Sequence, residues 1–332
     1  MDILLCLVCS YIFGTLGAWF IYKWGNSFGL LDRSNKRSSH EGVVPRGGGI
    51  GILATFTFIS YFLQMSMAFW FPAIALALFS LLGDRIEISP KIRLIVQFIA
   101  AIVFLFFSYR LLVTHDPSPI AHSLPLLLFF AFFIVATANW YNFMDGINGI
   151  AGITGIVGFG LLTLFNIMTE GDSKYSLLLI CIVLSCLGFL PFNMPKARVF
   201  MGDVGSILLG FVFASIVVIL SKSFLNFVCL AAFLFPFYAD EFVTMAIRIK
   251  DGENLLRPHR RHFYQILANE MKIPHWKVSV GYGILQLVVG VGVLMIRPYG
   301  ILPVFAFLLF FFIAFVFANY IVRMKLVAQN ST

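Results

Sequence analysis

Eleven apolar stretches run through almost the whole chain, near residues 1–22, 47–67, 69–83, 93–113, 124–141, 148–168, 175–192, 204–221, 224–247, 278–297 and 300–322. A helix needs about 17 to 25 such residues to cross roughly 30 Å of hydrocarbon, so these stretches predict membrane-spanning helices. The expected fold is all-α, a polytopic bundle of eleven spans forming one domain over residues 1–332. The third stretch is short, and the break at Met65 to Trp70, before Pro72, is weak, so ten spans is the alternative.

Composition agrees. With 60% hydrophobic residues, 11% charged residues and a mean hydropathy of +0.95, the chain lies far outside the range of soluble domains. The first stretch starts with Asp2 and is followed, not preceded, by Lys23. It therefore reads as a retained span rather than a cleaved signal, with the N-terminus outside.

Under that assignment nineteen of the 23 Lys and Arg residues fall on one side, leaving Arg110, Lys174, Lys222 and Arg297 for the other. Lys and Arg accumulate in cytoplasmic connections. The connections near 23–46, 83–92, 139–147, 193–203 and 248–277 are thus expected in the cytoplasm. The net charge of +8 is mostly this orientation signal. A basic face toward anionic lipid or a nucleotide phosphate is its second use; nucleic acid has no support as a partner.

Trp24, Trp70, Trp140 and Trp276 fall at span ends, where an indole is favoured. Cys6, Cys9, Cys181, Cys186 and Cys229 lie in apolar segments without metal-binding neighbours and read as packing residues. Residues 263–271 place Phe263, Ile266, Leu267 and Met271 on one face, which predicts a short helix lying on the cytoplasmic surface.

Polar clusters too specific for solvated loops gather in five connections on that one side. The first runs from Asp32 through Arg37 and His40 to Pro45-Arg46-Gly47-Gly48-Gly49. Its glycines could bring backbone N–H groups close to an anion, or simply give a basic loop a flexible helix start. The second holds Asp84, Arg85, Glu87, Lys91 and Arg93. The third is Asn139-Trp140-Tyr141-Asn142-Phe143-Met144-Asp145-Gly146-Ile147-Asn148-Gly149, whose Asn139, Asn142 and Asp145 recur every three residues and would share a helix face.

In the fourth, Phe200-Met201-Gly202-Asp203-Val204-Gly205-Ser206, Asp203 can cap the following helix and keep one oxygen available. The fifth, Arg257-Pro258-His259-Arg260-Arg261-His262, suits a diphosphate clamp. Carboxylate and amide oxygens rather than thiolates point to Mg²⁺, or Mn²⁺, held together with substrate phosphate.

These four runs, Asp32 to Gly49, Asn139 to Gly149, Phe200 to Ser206 and His259-Arg260-Arg261-His262-Phe263-Tyr264-Gln265, resemble those of the polyprenyl-phosphate N-acetylhexosamine-1-phosphate transferases, glycosyltransferase family 4. The likeness spans essentially the whole chain. The last run looks more like the O-antigen-initiating branch than the muramoyl-pentapeptide transferase. The resemblance implies a bacterial inner-membrane enzyme that moves an N-acetylhexosamine 1-phosphate from a UDP-sugar to undecaprenyl phosphate and releases UMP. Membrane lipid is the setting, and a homodimer is left open.

Residue by residue, the resemblance implies that Asp203 and Asn142 hold the metal, with Asn139 and Asp145 in support. Asn148 and Phe200 would meet the uracil, and Arg260, Arg261 and His259 or His262 would clamp the diphosphate. Arg93 would hold the lipid phosphate, while Arg46 and Asp84 complete the set.

One departure stands out. The family's pair of adjacent aspartates after the third span is here Gly83-Asp84. Where the first aspartate is the base, this chain lacks it, which makes an inactive homologue the alternative. A transporter or flippase is the alternative of another class, but transporters place polar groups at the midplane within repeated halves, and no repeat is visible here.

Overall fold

The computed structural model describes residues 3–33, 42–86, 88–113, 124–254 and 259–330. Asn35, Arg37, His40, Glu87, Arg257 and Pro258 lie outside the described residues.

The protein is a polytopic helical membrane bundle. Its elements are α1 (Ile3–Trp24), β1 (Leu31–Arg33), β2 (Val43–Pro45), α2 (Ile50–Phe62), α3 (Met67–Arg85), α4 (Pro90–Val113), α5 (Leu124–Phe143), α6 (Ile150–Met168), α7 (Ser173–Asn193), α8 (Asp203–Leu220), α9 (Phe224–Ala231), α10 (Phe235–Lys250), α11 (Phe263–Gln265), α12 (His275–Ile296) and α13 (Ile301–Asn330). Among the described residues ten helical segments are long and apolar enough to cross a membrane, with α9 and α10 counted as one span, Phe224–Lys250.

The eleventh apolar helix, α2, has 13 residues and covers only about 20 Å at 1.5 Å per residue. The short stretch is therefore the second, not the third, and ten replaces eleven as the number of full-length helices. Gly47, Gly48 and Gly49 are taken out of the helix because their amides donate to the carbonyls of Phe200 and Met201 at 3.2, 2.9 and 2.9 Å. The same bonds answer the question of a phosphate cradle: these three donors already have backbone partners.

Helix α8 is the central post, with nearly every residue buried. Small residues let its start approach α2 closely. A Cβ on Gly49 would come within 2.3 Å of the Gly205 Cα, so side chains there would drive the two helices apart. Between α9 and α10 the span breaks into a 3-10 turn, Ala232–Leu234. Gln286 of α12 satisfies the exposed backbone by donating to the Phe233 carbonyl at 2.7 Å, as an apolar interior requires.

Trp24, Trp70, Trp140 and Trp276 sit in the terminal turns of α1, α3, α5 and α12. Four of the five cysteines are buried, Cys9 is half-buried, and all are free. The surface helix expected over 263–271 is instead drawn inward. Phe263, Tyr264, Gln265, Ile266 and Ala268 are buried, in α11 and the π-type turn Ile266–Glu270 that follows it.

Candidate active site

The described residues of the connections between α1 and α2, α3 and α4, α5 and α6, α7 and α8, and α10 and α12 meet at one end of the bundle, tied to one another by the contacts described below. The meeting point is the N-terminus of α8, whose first amides would otherwise lack partners. Asp84, buried near the end of α3, supplies them: its carboxylate accepts from Asp203 N at 3.2 Å and Val204 N at 3.3 Å. The cap expected from Asp203 is thus provided by Asp84. Gly202 precedes it with φ +74°, and a Cβ there would lie 2.8 Å from Asp84 Oδ2, so only glycine admits the carboxylate.

Arg46 closes over Asp84. Its guanidinium donates to the Asp84 backbone carbonyl, Nε at 2.9 Å, and lies 3.6 Å from Asp84 Oδ1. Both residues predicted to act on substrate are therefore joined in shaping the helix start.

Freed from capping, Asp203 turns both oxygens to side chains. Oδ2 pairs with Arg93 Nη1 of α4, and Oδ1 accepts from Asn142 Nδ2 of α5 at 2.9 Å. The same Asn142 nitrogen reaches Ser206 Oγ at 2.8 Å. Three helices thus converge on one half-exposed carboxylate.

Asn139 lies one turn back and faces elsewhere, in a reciprocal amide pair with Gln97 at 2.5 and 3.3 Å. Asp145 lies beyond the end of α5, in the turn that Gly146 and Gly149 allow, so the helix that carries Asn139 and Asn142 stops before it. Burial pushes the Asp145 carboxyl well above the usual carboxylate range, and the Asp203 and Asp84 carboxylates add to the shift.

Among the described residues no donor reaches the Asp145 carboxylate or the Asn142 amide oxygen. Two hard acceptors without donors, beside a carboxylate already facing a guanidinium, form a donor set suited to a hard cation. Among the described residues no group of three or more His, Cys, Asp or Glu could hold a metal ion, so any such ion would rely on amide oxygen, substrate phosphate and water.

The remaining predicted residues are distributed around this centre. Asn148 is held by its amide to the Pro195 carbonyl at 3.2 Å and by its backbone N–H to His275 Nδ1 at 3.4 Å. The Phe200 backbone is tied into the Arg46–Gly48 segment, donating to the Pro45 carbonyl at 2.8 Å. Arg260 lies 3.8 Å from Glu270. Arg261 is paired with Asp251 at 2.6 Å and Glu253 at 2.5 Å.

His259 is half-buried with its ring centroid 4.7 Å from that of His262. Burial, then His262 and Arg248, push its pKa down to about 4. His262 is buried between Asp240 at 3.6 Å and Glu241 at 3.7 Å. Burial alone would lower its pKa, but these carboxylates outweigh that and raise it.

The sequence shows Ser206 and Tyr264 within their runs but assigns them no role, and it does not single out Gln97 or the pair Asp240-Glu241. The acid pair was visible as ionisable residues inside an apolar span, a pattern that usually marks function.

Comparison with known proteins gives three kinds of match. A family model described as glycosyl transferase family 4 matches residues 66–221. The undecaprenyl-phosphate alpha-N-acetylglucosaminyl 1-phosphate transferase of Thermotoga maritima is 31% identical over 252 residues, covering 75% of this chain and 75% of that protein. Its namesake from Escherichia coli K12 is 26% identical over 278 residues, covering 79% and 75%. The phospho-N-acetylmuramoyl-pentapeptide-transferase of Staphylococcus saprophyticus is 30% identical over 183 residues, covering 51% and 53%.

Proposed function

This chain belongs to glycosyl transferase family 4, and from that premise we propose that it transfers an N-acetylhexosamine 1-phosphate from a UDP-sugar to undecaprenyl phosphate, releasing UMP. The product would be an undecaprenyl-diphospho-sugar, the lipid-linked start of an O-antigen or other envelope polysaccharide. The observation that carries this reading is the convergence of Arg93 and Asn142 on the two oxygens of Asp203, at the bundle end that also holds the basic segment His259-Arg260-Arg261. The charge bias of the connections supports placing that end in the cytoplasm of a bacterial inner membrane, where UDP-sugars are found.

A hard cation, Mg²⁺ or Mn²⁺, fits this donor set. Asp203, Asn142 and Asp145 would hold it, and when bound it would neutralise charge on the donor diphosphate. Arg93 stands beside Asp203 where a second negative group, the lipid phosphate, would be received. An oxygen of that phosphate attacks the sugar-bearing phosphorus, the bond from that phosphorus to the UMP oxygen breaks, and Arg260 with His259 stabilises the charge left on UMP.

No base is required of Gly83. A phosphate monoester has a second pKa near 6 and is largely dianionic at pH 7. What the protein supplies is in-line positioning and charge neutralisation, the terms that dominate phosphoryl transfer.

The test is transfer of radiolabel from a panel of UDP-N-acetylhexosamines to undecaprenyl phosphate by the purified protein, with the lipid products separated by thin-layer chromatography. Formation of a lipid-linked sugar and UMP supports the reading and identifies the donor. Uptake of a nucleotide sugar into sealed proteoliposomes with no lipid-linked product would replace the transferase with a transporter. Failure of both would mark an inactive homologue.

A further inference from the structure

Asp240 lies in the span Phe224–Lys250 and is fully buried. Four donors, from two other places in the chain and from its own helix, converge on it. Oδ1 accepts from Phe263 N at 2.8 Å and Thr244 Oγ1 at 3.1 Å. Oδ2 accepts from Tyr264 N at 3.1 Å and Tyr282 Oη at 2.7 Å. The two backbone donors come immediately after His259-Arg260-Arg261-His262, so the carboxylate holds the cationic run from behind.

One of those residues also reaches forward. Tyr264 Oη donates to the Phe143 carbonyl at 2.9 Å, one residue beyond Asn142. Gly146 makes room for that approach, since a Cβ there would fall 2.2 Å from the tyrosine oxygen. A single buried acid thus fixes the rear of the basic segment and, through one side chain, its distance from the Asn142 turn.

We propose that Asp240 is a positioning residue for the transfer, keeping the His259–Arg261 clamp in register with the Asn142, Asp145 and Asp203 cluster through Tyr264. The inference rests on the transferase reading. Asparagine cannot replace Asp240, because it offers one acceptor oxygen and turns an NH₂ toward two of the four donors. A displacement of about 1 Å in such a device costs on the order of 10²-fold in rate.

The experiment uses the full chain in nanodiscs, as wild type, Asp240→Asn and the milder Tyr264→Phe, which removes only the hydroxyl bonded to Phe143. Steady-state constants are measured separately for UDP-N-acetylglucosamine and undecaprenyl phosphate, and hydrogen exchange is followed at residues 143–149. The expected result for both variants is a KM for the UDP-sugar raised about tenfold and kcat/KM lowered by about 10²-fold in Asp240→Asn, with the KM for the lipid unmoved. Exchange at 143–149 rises although neither substitution lies there. Both KM values unchanged with activity falling only as the folded fraction falls, or faster exchange confined to 263–270, would overturn the proposal. An inactive wild type would remove the transferase reading instead, and the exchange data would still decide whether Asp240 couples the two segments.

Discussion

Asn142 and Asp203, 61 residues apart in the chain, are joined by an amide-to-carboxylate hydrogen bond of 2.9 Å. The bond leaves the Asn142 oxygen directed away from the carboxylate and without a donor among the described residues. If that oxygen meets a cation, Asn142→Ala should weaken the apparent affinity for Mg²⁺ by about tenfold to a hundredfold, read from the metal dependence of transfer. An unchanged metal titration would place the ion elsewhere.

Asp84 has a different task from Asp203. It caps α8 and is covered by Arg46, so Asp84→Ala should lower stability by about 2 kcal/mol, whereas Asp203→Asn, half-exposed, should cost less. Thermal unfolding in detergent compares the two. Equal losses would show that the cap is not what Asp84 provides.

Gly83 lies against Arg93, with a Cβ built there 3.3 Å from Arg93 Nη2. That atom ends a flexible side chain and can move, and alanine gains about 0.5–1 kcal/mol over glycine in a helix. Gly83→Ala is therefore expected to keep transfer activity and to be slightly more stable. Loss of transfer in that variant would mean that the space above Gly83 is used by substrate or solvent.

The pH dependence of stability follows from His259. Its pKa is pushed down from the ordinary 6.5 to about 4 by burial first, then by His262 and Arg248. As pH falls from 6.5 toward 4 the unfolded chain takes up a proton that the folded protein refuses, so stability is lost across that window. His262, raised by Asp240 and Glu241, acts oppositely, contributing stability that disappears as pH rises through its folded value. Melting curves of wild type and His259→Gln should therefore diverge, the variant losing less between pH 6.5 and 4. Parallel curves would contradict the assignment.

Much of the fold was legible because span length and tryptophan placement are set by bilayer thickness, a constraint that acts locally. The exception is α2, shorter than its apolar stretch because Gly47 to Gly49 pair with Phe200 and Met201, a contact more than 150 residues away in sequence. That Asp84, Arg93, Asn142 and Asp203 gather on one side of the bundle was visible in the sequence as polar runs between apolar spans. Their division of labour was not. Asp84 and Asp203 exchange the expected capping role through tertiary geometry, and Asp145 leaves the helical face because α5 ends at Phe143. Asp240 escaped notice for want of a motif, although an acid within an apolar span carries its own signal.

Asp203 stands at the centre of the proposed cation-dependent sugar-phosphate transfer. Its most direct test is radiolabelled transfer to undecaprenyl phosphate measured against Mg²⁺ for wild type and Asp203→Ala. The expected result is wild-type turnover that requires the divalent ion and a loss of about 10²–10³-fold in the variant at every metal concentration. Undiminished transfer by Asp203→Ala, or wild-type transfer that persists in excess chelator, would contradict it.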